Sequence, residues 1–427
     1  MENSINKSNA NRRVLTRKNH QVSRKNISKS ALKVLYRLNG QGHQAYLVGG
    51  SVRDLLLGGQ PKDFDIATDA TPEEVRSLFG NSRLIGRRFR LAHVRFGREL
   101  IEVATFRTSS EHSKDDRETI SGSGQVLRDN VWGTLEDDVW RRDFTANALY
   151  YDVSNFSVID YVDGIKDIEA RHLKLIGNPQ QRYREDPVRM LRAIRFAAKL
   201  DFCIDEETAR PLADLGSLLV DIPSARLFDE FNKLFQSGYA LKTFQLLREH
   251  NLFGSLFPFT NDWLDEDSKL ASDRLIFIES ALQNTDERIS NGQTVTPMFL
   301  FAVFLWGPVS TLSQELMESK KMSRVQSLIV AAAEITTLQV QRIAIPKRFS
   351  FPMREIIRMQ PYFDDKRSRR VKSMLKHRRF RAAYDLMLLR VNLGEIAQKN
   401  ADWWSEVQKL PESKKTLSRK RKLKRAI

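Results

Sequence analysis

With a single cysteine, Cys203, in 427 residues, the chain cannot build an intrachain disulfide framework or a cysteine-rich zinc site. Its neighbours Phe202 and Ile204 read as the surroundings of an ordinary half-buried thiol. Long apolar runs are missing as well. The longest, Met298 to Trp306, is about half of the ~20 residues needed to span a bilayer, and the first residues lack the apolar stretch of a secretory leader. These absences lead us to expect a cytoplasmic protein with no membrane span. Acids are outnumbered, 53 Asp and Glu against 70 Lys and Arg, for a net charge of +17. Residues 1–29 carry +7 of that excess and residues 414–427 carry +8, which leaves +2 for everything between. Basic tails attract polyanions, and composition alone leaves RNA, DNA and anionic membrane open.

Along the chain, residues 1–25 are rich in Asn, Ser, Lys and Arg and read as a basic segment that is disordered or ordered only on binding. From Ser28 the spacing Ala31, Leu32, Leu35, Leu38 predicts an amphipathic helix closed by Asn39-Gly40. Tyr46-Leu47-Val48 reads as a buried strand that turns through Gly49-Gly50 into a helix over Ser51–Leu57, and Asp63–Ala67 reads as another strand. Thr71-Pro72-Glu73-Glu74 starts a helix, and strands are expected at 91–96 and 100–106. Residues 108–138 read as a long polar loop. After Pro179 helical periodicity dominates, and no repeat of 20–50 residues suggests a solenoid. The expected organisation is an α+β head over 26–175, a helical neck over 176–260 that binds nucleotide and RNA, a helical RNA-binding body over 261–405 and a basic disordered tail over 406–427.

A strand that turns through Gly49 and Gly50 into a helix lets backbone N–H groups approach a phosphate, with Arg53 one turn on to add a charged contact. By itself such a turn is often only a tight turn. On a strand, Asp63 and Asp65 share one face while Phe64 enters the core, so two carboxylates lie side by side, and a cation relieves their repulsion. This is the expected site of two Mg²⁺ ions, which in such sites stand about 3.5–4 Å apart. A third acid is either Glu102, on the apolar strand Leu100–Ala104, or Asp143 beside Arg141 and Arg142. Downstream, Asp186, Arg189, Arg192 and Arg195 recur at helical spacing. They form either a base-reading acid with an arginine fork or a salt-bridge ladder on a helix surface.

Leu47–Asp65, Arg141–Tyr150, Asp160-Tyr161-Val162-Asp163-Gly164 and Arg184–Arg189 occur together, in the order found in class II nucleotidyltransferases of the polymerase β superfamily. That group contains the tRNA CCA-adding enzymes and the bacterial poly(A) polymerases. The resemblance implies a polymerase β-like head followed by an all-helical neck and body, with Asp63, Asp65 and Asp143 as catalytic acids. It implies metal binding by Asp63 and Asp65 and nucleotide binding by Gly50, Arg53, Arg142, Asp186, Arg189 and Arg192, with Gly49 of the same turn expected beside them; the third metal ligand stays open between Glu102 and Asp143.

Leu84–Val94 and the stretches at 345–348 and 380–386 are similar to the poly(A) polymerase branch, with His93 read as a core or edge histidine. Nine of the sixteen residues from Lys366 to Arg381 are basic, and Arg369, Arg370, Lys372, Lys376, Arg378 and Arg379 are the expected RNA contacts. Sequence-independent phosphate contacts suit varied RNA ends better than one folded tRNA. The expected reaction is template-independent transfer of AMP from ATP to RNA 3′-hydroxyls with release of pyrophosphate, by a monomer acting on messenger, small regulatory and transfer RNA ends. Decay machinery would be its downstream partner. A CCA-adding enzyme and a catalytically silent RNA-binding relative are the alternatives; intact Asp63, Asp65 and Asp143 argue against the second.

Overall fold

In the computed structural model the described residues are 12–86, 90–108, 119–120, 126–128, 132–265 and 270–409. The chain divides after Leu215 into two compact units, so the neck expected over 176–260 spans that division.

The first unit is built on strands β1 (Arg13–Leu15), β2 (Ala45–Val48), β3 (Asp65–Thr68), β4 (Ser82–Ile85), β5 (Leu91–Phe96), β6 (Glu99–Thr105), β7 (Thr119–Ile120), β8 (Val126–Arg128), β9 (Leu149–Asp152) and β10 (Ser157–Asp160). All but the β7–β8 hairpin join one eight-stranded sheet in the order β1-β10-β9-β2-β3-β6-β5-β4. Every neighbouring pair is antiparallel except β3 and β6, which run parallel and set Asp65 in register with Glu102. The helices are α1 (Lys29–Gly40), α2 (Gly50–Leu56), α3 (Pro72–Leu78), α4 (Leu135–Trp140), α5 (Gly164–Glu169), α6 (Pro179–Glu185), α7 (Val188–Leu200), α8 (Glu206–Ala209) and α9 (Leu212–Leu215). Ser28 caps α1, accepting from the Ala31 N–H at 3.0 Å, and Thr71 with Glu74 forms a capping box at α3. Val48, Ala67 and Tyr150 on the sheet pack with Leu135 and Val139 of α4 in one apolar cluster.

Two expectations change here. Residues 12–25 are ordered: β1 pairs with β10, Val22 is fully buried, and His20 Nε2 lies 2.9 Å from the Phe156 carbonyl. Leu15, Val22 and Ile27 are too sparse to show periodicity, yet each is buried. The polar stretch 108–138 contains the β7–β8 hairpin and the start of α4, which Thr134 and Asp137 begin with a capping box. Residues 109–118, 121–125 and 129–131 of that stretch, residues 87–89 of the segment similar to the poly(A) polymerase branch, residues 1–11 and the basic tail beyond Lys409 lie outside the described residues.

The second unit is helical: α10 (Ser224–Phe235), α11 (Ala240–Glu249), α12 (Phe253–Leu256), α13 (Pro258–Asp265), α14 (Ala271–Ser290), α15 (Pro297–Lys320), α16 (Arg324–Gln339), α17 (Lys347–Arg358), α18 (Ser368–Lys376), α19 (Phe380–Leu389) and α20 (Gln398–Lys409). Its centre is phenylalanine-rich, with Phe231 stacked 4.3 Å from Phe301 and Phe257 4.7 Å from Phe304. Among the described residues, α15 alone is long and apolar enough to cross a membrane, although its longest unbroken apolar run is short. It is the core helix of this unit: Leu300 to Val309 are all buried, and a side chain at Gly307 would collide with the Trp263 ring.

Candidate active site

The Leu47–Gly50 motif places β2 at the centre of the sheet and turns it into α2 at Gly49, whose φ of 74° and ψ of −137° only glycine adopts without strain. Here the chain meets Arg142, since a side chain at Gly49 would touch Arg142 Nη1 at 3.7 Å. Arg142 is held in place from behind. Its Nε donates to the Tyr150 hydroxyl at 2.7 Å, its Nη2 donates to Asp138 Oδ2 at 2.8 Å, and Tyr150 donates to the same oxygen at 2.6 Å. Asp138 is 1% exposed. Burial opposes its ionisation, but the charges of Arg142 and Arg141 and the hydrogen bonds from Tyr150 and Arg142 outweigh that and hold its pKa well below the usual carboxylate range. The sequence reading missed Asp138 and Tyr150; an acid four residues before an arginine in a helix start was the available signal.

β3 begins at Asp65, so Asp63 precedes the strand; both are exposed while Phe64 is buried. Asp65 stays open to water, but the protein around it desolvates its carboxyl. That desolvation, then Glu102 and Asp63, raises its pKa to about 6, while Arg142 pulls it down. The sheet therefore brings Asp63, Asp65, Glu102 and Arg142 into one electrostatic neighbourhood. Glu102 is also turned toward His93, its register partner on β5, with Oε1 3.2 Å from Nε2. Consequently the expected set of three acids does not close: among the described residues no three His, Cys, Asp or Glu side chains converge closely enough to hold a metal ion. The donors nevertheless fit Mg²⁺, which takes oxygen ligands and usually binds through one or two carboxylates, water and substrate phosphates instead of an all-protein cage.

Asp143 belongs to a different group. Arg192 Nε donates to its Oδ2 at 2.6 Å, and its Oδ1 accepts from the Phe144 N–H at 2.9 Å. Burial opposes ionisation, but Arg192 and these hydrogen bonds bring its pKa down to about 2. The structure thus joins Asp143 to Arg192, two residues that the sequence reading placed in the site separately. The loop carrying Asp143 is braced by the Asp160–Gly164 motif, while Arg192 comes from α7. Asp160 accepts from the backbone N–H groups of Val162, Gly164 and Ile165, and a side chain on Gly164 would lie 2.2 Å from the Thr145 carbonyl. Arg182, also missed, donates to the carbonyls of both Arg141 and Arg142 at 2.8 Å.

Two site residues make contacts that spacing did not show. Arg53 is 1% exposed and turned inward, bonded to Asp54 and Asn147 and lying over Phe196, so it braces the turn. Arg189 pairs with Glu185 at 2.7 Å instead of Asp186, whose Oδ1 accepts from the Val188 N–H at the start of α7. Helical spacing could not foresee this, because Asp186 sits in the extended break between α6 and α7.

Comparison with known proteins decides the family. The model of the poly A polymerase head domain matches residues 45–174, that of the probable RNA and SrmB- binding site of polymerase A matches 201–264, and that of the polymerase A arginine-rich C-terminus matches 320–426. Poly(A) polymerase I of Escherichia coli O157:H7 is 49% identical over 92% of this chain and 85% of its own length, and that of Haemophilus influenzae is 43% identical over 91% and 86%. The chain belongs to the bacterial poly(A) polymerase I family. Its activity is accordingly that of a nucleotidyltransferase adding AMP to RNA. CCA-adding enzymes are more distant, that of Bacillus pumilus being 37% identical over 55% of this chain and 57% of its own. A CCA-adding enzyme in an apo form shares the fold, with a TM-score of 0.61 at 19% identity over 90% of this chain and 83% of its own. Members of the poly(A) polymerase I family use a nucleotide substrate and a divalent metal, in keeping with the oxygen donors on β3.

Proposed function

We propose that the neighbourhood of Asp63, Asp65 and Arg142 is where the α-phosphate of ATP meets the 3′-hydroxyl of an RNA, and that this protein grows poly(A) tails without a template. The observation that carries the reading is the placement of Asp65 at the head of a central strand, in register with Glu102 on β6 and two residues from Asp63, where desolvation and these neighbours push its pKa up. Holding like charges together has a cost that a cationic ligand removes. Asp63 and Asp65 would hold Mg²⁺, with Glu102 free to join them by leaving His93. The chemistry supplied by bound Mg²⁺ is a lowered pKa for the attacking hydroxyl and neutralisation of charge on the triphosphate.

The chain's own residues do the positioning. Arg142, locked by Asp138 and Tyr150, presents a fixed positive charge beside the Gly49–Gly50 turn, suited to the leaving pyrophosphate. Arg192, supported by Asp143, and Arg189, supported by Glu185, present guanidinium edges from α7 that suit base and triphosphate contacts, with Asp186 beside them as an acceptor. Bonds balance without a covalent enzyme intermediate: the RNA oxygen bonds to the α-phosphorus, and the bond to the β-phosphate oxygen breaks.

The same reading has a cytoplasmic monomer acting on messenger and small regulatory RNA ends, and on tRNA, with tailing that delivers them to decay machinery. The scarcity of cysteine and the exposed basic residues of α18 support it. The test uses purified protein, Mg²⁺ and two RNAs, an unstructured oligonucleotide and a tRNA ending before its CCA. Long ladders from ATP alone on the unstructured RNA support the reading; a fixed three-nucleotide extension that needs CTP and is confined to the tRNA overturns it.

A further inference from the structure

The second unit carries an aromatic ring where burial cannot explain it. Phe351, on α17, is 55% exposed, more than any other large hydrophobic side chain described. Its helix buries Ser350, Pro352, Met353, Ile356 and Ile357 on the opposite side. The outward side carries Lys347, Arg348, Arg354 and Arg358 at one-turn spacings around Phe351, and the Arg354 guanidinium lies 5.0 Å from the ring centroid. One acid, Glu355, interrupts the stripe, and Arg378 and Arg379 lie 3.6 and 3.5 Å from its Oε2. An isolated exposed apolar residue is unremarkable. A phenylalanine framed by four cations on one helix face is a different arrangement.

From this geometry we infer that Phe351 is a stacking platform for one base of a single-stranded RNA. The base lies on the open face of the ring, with Arg354 against the other face and Lys347, Arg348 and Arg358 on the flanking phosphates. Every base has a π-face, so such a contact tolerates any sequence, and a guanidinium behind the ring adds a cation–π contribution. Single-stranded RNA is favoured over a protein partner because the face is almost wholly cationic and the lone ring offers no extended apolar patch of its own. The inference rests on the RNA-tailing reading above, and within the body expected to bind RNA it adds a base contact on α17 to the expected contacts between Arg369 and Arg379.

The test measures binding of the full-length protein to a single-stranded oligoadenylate carrying 2-aminopurine and to a blunt RNA duplex of equal length. Stacking quenches the 2-aminopurine fluorescence. Phe351→Ala is expected to lose that quenching and to bind the single strand about tenfold more weakly. Duplex affinity should stay within about twofold, because paired bases cannot reach the ring. Phe351→Tyr is expected to keep both signals. Phe351→Lys adds charge but removes the ring and is expected to behave like the alanine variant. Parental binding and quenching by Phe351→Ala would overturn the inference, as would full single-strand affinity in Phe351→Lys. A change in self-association of Phe351→Ala with RNA binding intact would overturn it in favour of a protein contact. Tail synthesis by the parent protein is scored separately, so failure of the RNA-tailing reading and failure of the platform give different results.

Discussion

Asp143 shows how far a single residue's chemistry can be read from its neighbours. In the sequence it stands beside Arg141 and Arg142, either of which could have been its partner; folding gives both of those to Asp138 and brings Arg192 from 49 residues away. No local pattern signals such a pair, whereas the exposure of Asp63 and Asp65 on either side of buried Phe64 was legible from their alternation, although only Asp65 lies on β3. The burial of Arg53 on Asn147 was not legible for a related reason, since nothing in the spacing tells an exposed arginine from a buried one. The Asp143–Arg192 pair has a measurable signature. Its carboxyl, lowered from 3.8 to about 2, contributes stability that is complete above pH 4 and is lost as the pH falls toward 2. Asp143→Asn should therefore lower the melting temperature at pH 7, by an amount equivalent to about 2 kcal/mol, and that difference should shrink as the pH falls from 4 to 2.

At the scale of elements, the parallel pairing of β3 with β6 aligns Asp65 and Glu102, while α4 aims Arg142 at the Gly49 turn. The strands at 91–96 and near 100–105 and helix α1 were legible from alternation and from the Ser28 cap. The partnering of strands was not, because order in a sheet depends on long-range packing. α4 was hidden in a polar stretch whose capping box, Thr134 with Asp137, was its clearest mark. Its role makes a prediction. Asp138→Asn leaves Arg142 buried against Tyr150 without its counter-charge, which should cost about 3–5 kcal/mol and lower the melting temperature by roughly 10 °C. Thermal melts of that variant beside an exposed control such as Glu207→Gln would check it.

For the whole molecule, the basic excess and its density along the chain direct the expected RNA contacts to the stretch around α18. Arg369, Lys372 and Lys376 on α18 are exposed with no acidic partner among the described residues, while Arg370, Arg378 and Arg379 share Asp365 or Glu355. Replacing the first three by alanine should weaken RNA binding alike for all sequences and reduce the slope of log affinity against log salt by about 2, read from titrations at several salt concentrations. The division after Leu215 was not legible, because helical periodicity continues across it. The expected head, neck and body follow composition, while the compact units follow packing.

Primer extension by Asp65→Asn, with Mg²⁺, ATP and an unstructured RNA, tests the central claim most directly. The substitution keeps the size of the side chain and removes the charge that would hold the cation. The account predicts that RNA binding persists while AMP addition falls by about a thousandfold or more. Tails of parental length made at a parental rate by Asp65→Asn would contradict it.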